Sequence, residues 1–400
     1  MSLLLLPLLL FSCQQEISPA QAEKFIKFYG NSLMDEARDV EVLDDGSYAI
    51  CGVDTDAEKG ERAVLFVTDK FGNVKPGFPR YYAEGNLNSG ANALVVKGGG
   101  TGGFLLVGYV DKPVLDTIPP IEVRTQKDLF LVRTSSTGQE FWKKSFGSME
   151  DESVLHATGM IASGGFILAG YQVHDGKTDI MVMGVTDQGD SITPGLNYYN
   201  PLSNKAAANY ILNAGDKYLC VCTYDKVGTD GTDILILNFD DELSPNDGIL
   251  GGDFEETGQC IIEDGANRYL VLGNRINISG NTEIVVHMIE TNGLLITKTL
   301  FLETISEQNT DLIAKRFVKT EDSRFAIVGT RQSGGNSDIF LQFLLPDYQA
   351  AERIIFGAAG NQSGADIDLP ADGGLLMLGT NGYDANSMIS LIRTGDAGDL

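Results

Sequence analysis

Phe141-Trp-Lys-Lys-Ser-Phe-Gly147 leads into Glu152-Ser-Val-Leu-His-Ala157, then Gly164-Gly-Phe-Ile-Leu-Ala-Gly170 and Asp179-Ile-Met-Val-Met183, and closes at the turn Asp187-Gln-Gly189. Each apolar run is short, rich in β-branched and aromatic residues, and bounded by Gly, Asp, Asn or Ser. That is the signature of strands joined by turns, and no long 3.6-period apolar stripe competes with it. The same order recurs along the chain. The glycine closing the second run returns as Gly52, Gly108, Gly273, Gly329 and Gly379, with Cys222 in its place once. The third run begins at Ala63, Leu129, Ile180, Ile234, Ile284, Ile339 and Met388, with an acid directly before it at Asp128, Asp179, Asp233, Glu283 and Asp338. Closing positions recur at spacings of about 50 to 62 residues, the range of a four-stranded propeller blade. The expected fold is all-β: a seven-bladed β-propeller of four-stranded antiparallel blades.

The register of the ends predicts how the ring closes. Lys24-Phe-Ile-Lys-Phe-Tyr-Gly30 matches Trp142 to Gly147, the last strand of a blade, whereas Met388 to Arg393 is a third strand. The N-terminal strand is therefore expected to complete the C-terminal blade and hide both exposed edges. Asp45-Gly46, Gly102-Gly103, Gly164-Gly165 and Asp372-Gly373 supply the positive φ that tight hairpins need. The glycine closing each second run reads as a place where backbones approach closely near the propeller axis.

Composition narrows the partners. The 400-residue chain carries 29 Lys and Arg against 55 Asp and Glu, a formal charge of −26, with 43% apolar and 21% charged residues. That balance is ordinary for a folded chain and holds no basic block to neutralise phosphates, so a nucleic-acid partner is excluded. Electrostatic docking on anionic membranes is disfavoured for the same reason.

Leu3 to Phe11 is almost wholly apolar and ends at Ser12-Cys13, too short for a mature transmembrane helix. Leu10-Phe11-Ser12-Cys13 resembles a bacterial lipobox, although no Lys or Arg precedes the apolar run. The resemblance implies cleavage before Cys13 and acylation of that residue, with residues 1–12 a signal peptide, 13–21 a tether and 22–400 a single propeller domain. Several acyl chains hold a protein firmly on a membrane. The chain is expected to be a monomer in the bacterial cell envelope, an outer-membrane lipoprotein that is periplasmic or surface-exposed. Cys51, Cys220, Cys222 and Cys260 read as small apolar core residues.

A glycine-rich second strand followed by an acid-led third strand resembles repeats of lipoproteins from Bacteroidetes-type bacteria, a likeness at the level of the fold that transfers no function. Thr137-Gly138-Gln-Glu-Phe-Trp142 resembles the tail of the tryptophan-docking motif of quinoprotein propellers, but Trp142 is the single tryptophan and no cofactor is expected. Ser136 takes the aspartate place of a sialidase Asp-box before Gly138. Asp225, Asp230 and Asp233 are expected in one Gly-rich loop with oxygen ligands for Ca²⁺, but their spacing matches no Ca²⁺ loop, so no metal is expected.

Loops joining second to third strands share one propeller face with those joining successive blades. The longest is expected from Tyr109 to Lys127, with Pro113, Pro119 and Pro120. Tyr109, Tyr171, Arg275 and Arg331 enter that face just after a closing glycine and are the candidate ligand-binding residues, suited to a sugar or a peptide carboxylate. With no catalytic constellation in view, the expected function is a binding or scaffold module for protein or glycan, and the alternative a polysaccharide-acting hydrolase or lyase. Two or three carboxylates of raised pKa in a deep central pocket would mark the enzyme. A flat or apolar-aromatic mouth would mark the binding module.

Overall fold

The middle two strands of every repeat are apolar without alternation because they are covered on both faces. Tyr48 to Val53 and Thr232 to Phe239 are buried throughout, whereas the outermost strand Ala350–Phe356 alternates towards solvent. Blades packed face to face produce that pattern. A computed structural model describes residues 23–31, 33–98, 102–115, 123–148, 150–161, 164–198, 205–225 and 231–400. These form seven four-stranded antiparallel sheets, as expected. The expected signal peptide and tether, with Cys13, lie outside the described residues.

In six sheets the strands pair in chain order. In the seventh, β1 (Phe25–Tyr29) pairs with β28 (Asn386–Thr394), from Phe25 opposite Arg393 to Tyr29 opposite Ile389. The N-terminal strand thus completes the last blade. Leu33 and Asp35 extend the closure through backbone bonds to Ser387.

Seven first strands ring the axis: β2 (Glu36–Val42), β6 (Ser89–Lys97), β10 (Glu152–Gly159), β14 (Ala206–Asn213), β18 (Glu256–Gly265), β22 (Asp311–Lys319) and β26 (Asn361–Asp368). They begin blades one to seven in that order. Each carries a β-bulge at the same place, directly after the residue facing the closing glycine. Ala37 faces Gly52, and the register slips before Asp39. Ala91 faces Gly108, Val154 faces Gly170, Ala208 faces Cys222, Gly258 faces Gly273, Ala314 faces Gly329 and Gly364 faces Gly379. The bulge explains the glycine. A Cβ on Gly52, Gly170 or Gly329 would overlap the carbonyl oxygen of Glu36, Ser153 or Ile313 on the bulged strand.

Two expectations change. The Tyr109–Lys127 segment is mostly a projecting ribbon: β7 (Gly103–Leu115) and β8 (Val123–Thr134) stay paired out to Leu115 opposite Val123. Pro113 is tolerated because this ribbon lies beyond its blade, where a missing N–H breaks no sheet; Pro119 and Pro120 lie outside the described residues. Asp225 and Asp233 belong to paired strands rather than a loop, with Asp225 opposite Thr232 and Asp233 opposite Tyr224, and Asp230 is outside the described residues. The four cysteines are buried and free.

Neighbouring blades interlock at the outside through aromatics. Trp142 Nε1 donates to the Asp187 carbonyl at 2.9 Å, and the ring covers Gly189 in the next blade's turn. The Tyr29 and Tyr82 hydroxyls make the same reach, each donating at 2.7 Å to the carbonyl of Gly72 or Gly138. A tryptophan at one blade junction and tyrosines at two others make this contact.

Candidate functional site

A bulge leaves one residue without a cross-strand partner and turns it out of the ladder. Seven bulges on the innermost strands therefore aim seven side chains at one end of the central channel. Cations come from Arg38 and Lys315, carboxamides from Asn92, Asn209 and Gln259, and small or apolar groups from Ala365 and Leu155. All seven line one concave mouth of about 730 Å³, whose wall is completed by hydroxyls such as Thr223, Thr257 and Ser363. The volume suits a ligand of drug-like size.

Two of the carboxamides are fixed by the blade that follows. Asn92 Nδ2 donates to the Val154 carbonyl at 2.7 Å, and Asn209 Nδ2 to the Gly258 carbonyl at 2.8 Å. Arg38 gives one guanidinium nitrogen to Glu36 at 2.6 Å while its buried Nε has no acceptor. The Lys315 ammonium reaches solvent in the mouth, yet its pKa is pulled down by burial among the walls and then by Arg316 and Arg38.

One layer deeper, a polar belt crosses the channel. The His156 and Tyr210 rings lie 4.0 Å apart, the Arg316 guanidinium sits 4.7 Å over Tyr210, and Arg316 faces Asp366 at 3.7 Å. Asp366 and Asp39 face each other, and burial together with the neighbouring carboxyl holds Asp366 well above the usual carboxylate range. These side chains cap backbone N–H groups on the inner edges of the first strands, which have no further strand beside them. Asp39 accepts from Leu94 at 2.7 Å, Asp366 from Val40 at 3.0 Å, Asp368 from Val42 at 2.7 Å, and His156 Nδ1 from Ile211 at 3.4 Å. In each case the donor belongs to the next blade round the ring.

The belt also answers the test set for an enzyme. Burial raises Asp39 and Asp368 to about 6 and Glu41 to about 8, and holds Asp366 well above the carboxylate range with help from Asp39. Acids of raised pKa are therefore present in the channel. Glycoside chemistry needs two carboxyls flanking a sugar bond in an open cleft, roughly 5 to 9.5 Å apart. Asp39, Asp366 and Asp368 accept from backbone and none of them lines the 730 Å³ mouth, whereas Glu41 lines a second cavity of about 450 Å³ with His156 and Tyr210. The mouth is neither flat nor apolar-aromatic, so the mark expected of a binding module is corrected as well: it is concave, polar and cation-bearing.

The raised carboxyls predict a pH dependence. Their pKa values are higher folded than unfolded, so the folded chain binds more protons and stability falls as pH rises. The fall runs from about pH 4, through 6 for Asp39 and Asp368, to 8 for Glu41. Thermal unfolding midpoints should rise by several degrees between pH 8 and 5, and Glu41→Gln should flatten the upper half of that rise. Below pH 4 the midpoint should drop. There Asp45, held at about 2 by the Ser47 hydroxyl and Lys75, and Asp372, held down by Arg393, lose their partners. A midpoint that rises steadily from pH 5 to 8 would show the belt acids to be ionised in the folded chain.

The four residues singled out from sequence are not brought together. Tyr109, Tyr171, Arg275 and Arg331 stand on blades two, three, five and six, and none lines the mouth. Tyr109 donates to Glu61 at 3.0 Å beneath the Lys127 ammonium, and Tyr171 is half-buried. Arg275 pairs with Glu283 at 2.5 Å and lies over Phe254, while Arg331 is held by Glu307. The residues that converge are the bulge residues, and their one trace in the sequence is a break in the alternation of each first strand, as in Ala37-Arg38-Asp39. Among the described residues no group of three or more His, Cys, Asp or Glu side chains is placed to hold a metal ion.

No protein-family model and no curated protein matches the chain. Similar solved structures include a protein of unknown function from Dyadobacter fermentans, at 10% identity and TM-score 0.50, covering 92% of this chain and 98% of that one. A puromycin-hydrolyzing peptidase from Mycobacterium tuberculosis aligns at 11% identity and TM-score 0.50 over 94% of this chain and 52% of its own, so the chain spans about half that enzyme's length. At such identities the likeness is one of fold.

Proposed function

We propose that this propeller is a ligand-binding module of the bacterial cell envelope that takes a glycan into the bulge-lined channel mouth. The observation carrying the reading is convergence: one side chain from each of seven blades faces a single polar cavity. Residues fixed by the next blade, such as Asn92 and Asn209, make a preorganised surface that loses little entropy on binding. Three of the four raised acids cap backbone groups in the belt and none of the four lines the mouth, which favours recognition there over bond cleavage. Anchorage by acylated Cys13 rests on the lipobox-like Leu10 to Cys13.

The full chain, expressed with its own leader and incubated with a glycan panel, should retain a ligand and release no product. It should also enter the detergent phase on phase separation, and Cys13→Ala should leave it in the aqueous phase. Shortened glycan would favour the enzyme instead.

A further inference from the structure

The charge of the mouth runs against the charge of the chain. In a protein of formal charge −26, the charged side chains lining this cavity are Arg38, Lys315 and Arg316 against Glu36 alone. Arg316 is committed to Asp366 beneath. Arg38 keeps a buried Nε without an acceptor. Among the described residues the Lys315 ammonium has neither an ion-pair nor a hydrogen-bond partner, and Lys315 stands among other cations. Arg38 is on blade one and Lys315 on blade six, so blade seven lies between them. Its bulge residue is Ala365, preceded by Ser363 and Gly364, which leaves an open floor between the two positive groups.

We infer that this gap receives the carboxylate of an acidic sugar, with Arg38 and Lys315 as its two cationic contacts and the carboxamides across the mouth facing the sugar hydroxyls. The inference rests on the mouth being the binding site. A carboxylate offers one oxygen to the exposed part of the Arg38 guanidinium and one to Lys315 Nζ, and each such charge-assisted bond is a strong one. Glu36 beside Arg38 penalises a doubly charged head group such as a phosphate ester. Asn92, Asn209, Gln259, Thr223 and Thr257 each offer donors or acceptors to a polyol, whereas apolar contact for peptide side chains is confined to residues such as Leu155.

The test titrates the full chain with trigalacturonate, its neutral carboxyl-reduced form, a sulfated trisaccharide and a tripeptide with a free C-terminus. Trigalacturonate should bind at least about tenfold tighter than the neutral form. Lys315→Gln and Arg38→Gln should each remove about tenfold of its affinity, with Arg38→Lys partly restoring it. Lys298→Gln, on an exposed pair with Glu290, should change nothing. Ala365→Trp should block the mouth, and unchanged unfolding midpoints of the Gln variants keep the comparison interpretable. Equal binding of acidic and neutral trisaccharides, lost with Ala365→Trp, would overturn the carboxylate assignment and leave the mouth as the site. Binding unaffected by Ala365→Trp, or no saccharide bound at all, would overturn the mouth itself. Tighter binding of the sulfated sugar or of the tripeptide would overturn the ligand class.

Discussion

A chain lacking residues 1–30 should fail to give a stable monomer. Those residues include β1, and without it β28 becomes an unpaired edge whose Ile389, Leu391 and Ile392 are almost fully buried in the intact ring. Tyr29 is buried in the cluster joining blades seven and one, and its hydroxyl bonds to Gly72 of blade one. Losing that burial and the ladder costs on the order of 5 kcal/mol, as much as a whole domain commonly has to spare. The uncovered edge is also a template for pairing with other chains. Light scattering and thermal unfolding would read the outcome. A truncated monomer melting within a few degrees of the full chain would show that the ring is not held shut by this strand.

The second large effect concerns the closing glycines. Gly170→Ala should destabilise the fold by about 3 kcal/mol or more, above the usual range for overpacking, because the added methyl meets a backbone carbonyl rather than a side chain that can swing away. Relief requires the first two strands of blade three to part at the bulge. Gly159→Ala is the matched control. It ends the first strand of the same blade, opposite Phe166 on the strand that carries Gly170, with open space around its missing Cβ, and should be neutral to within about 0.5 kcal/mol. Equal effects of the two substitutions would mean that strand flexibility, and not the bulge, sets the requirement for glycine. Chemical denaturation of both variants decides it. Blade four carries Cys222 at the closing position opposite a bulge of the same register, so a small side chain is accommodated in that blade.

The fold was legible because its cause lies within each repeat. Central strands covered on both faces must be apolar without a break, as in Ile234 to Leu237, and a bulge opposite the second strand excludes a side chain at Gly52 or Gly329. Both demands leave marks at fixed intervals. The end strands were legible for the same reason, since Lys24 to Gly30 carries the outer-strand pattern out of its usual order. The site was not. Arg38, Asn92 and Lys315 are ordinary polar residues locally, and what unites them is convergence on an axis from strands far apart in the chain. The slip of register that turns them inward depends on which residue faces which across the ladder, and that is a property of pairing rather than of any single strand. Tyr109, Tyr171, Arg275 and Arg331 drew notice because they follow the visible glycine, but that position leads away from the axis, where Glu61, Glu283 and Glu307 engage three of them.

The most direct measurement is a crystal structure of the full chain with trigalacturonate bound. The account predicts density for the sugar among the seven bulge residues, its carboxylate between Arg38 and Lys315 over Ala365. Density on the outer face beside Tyr109, Tyr171, Arg275 or Arg331, with an empty channel mouth, would contradict it.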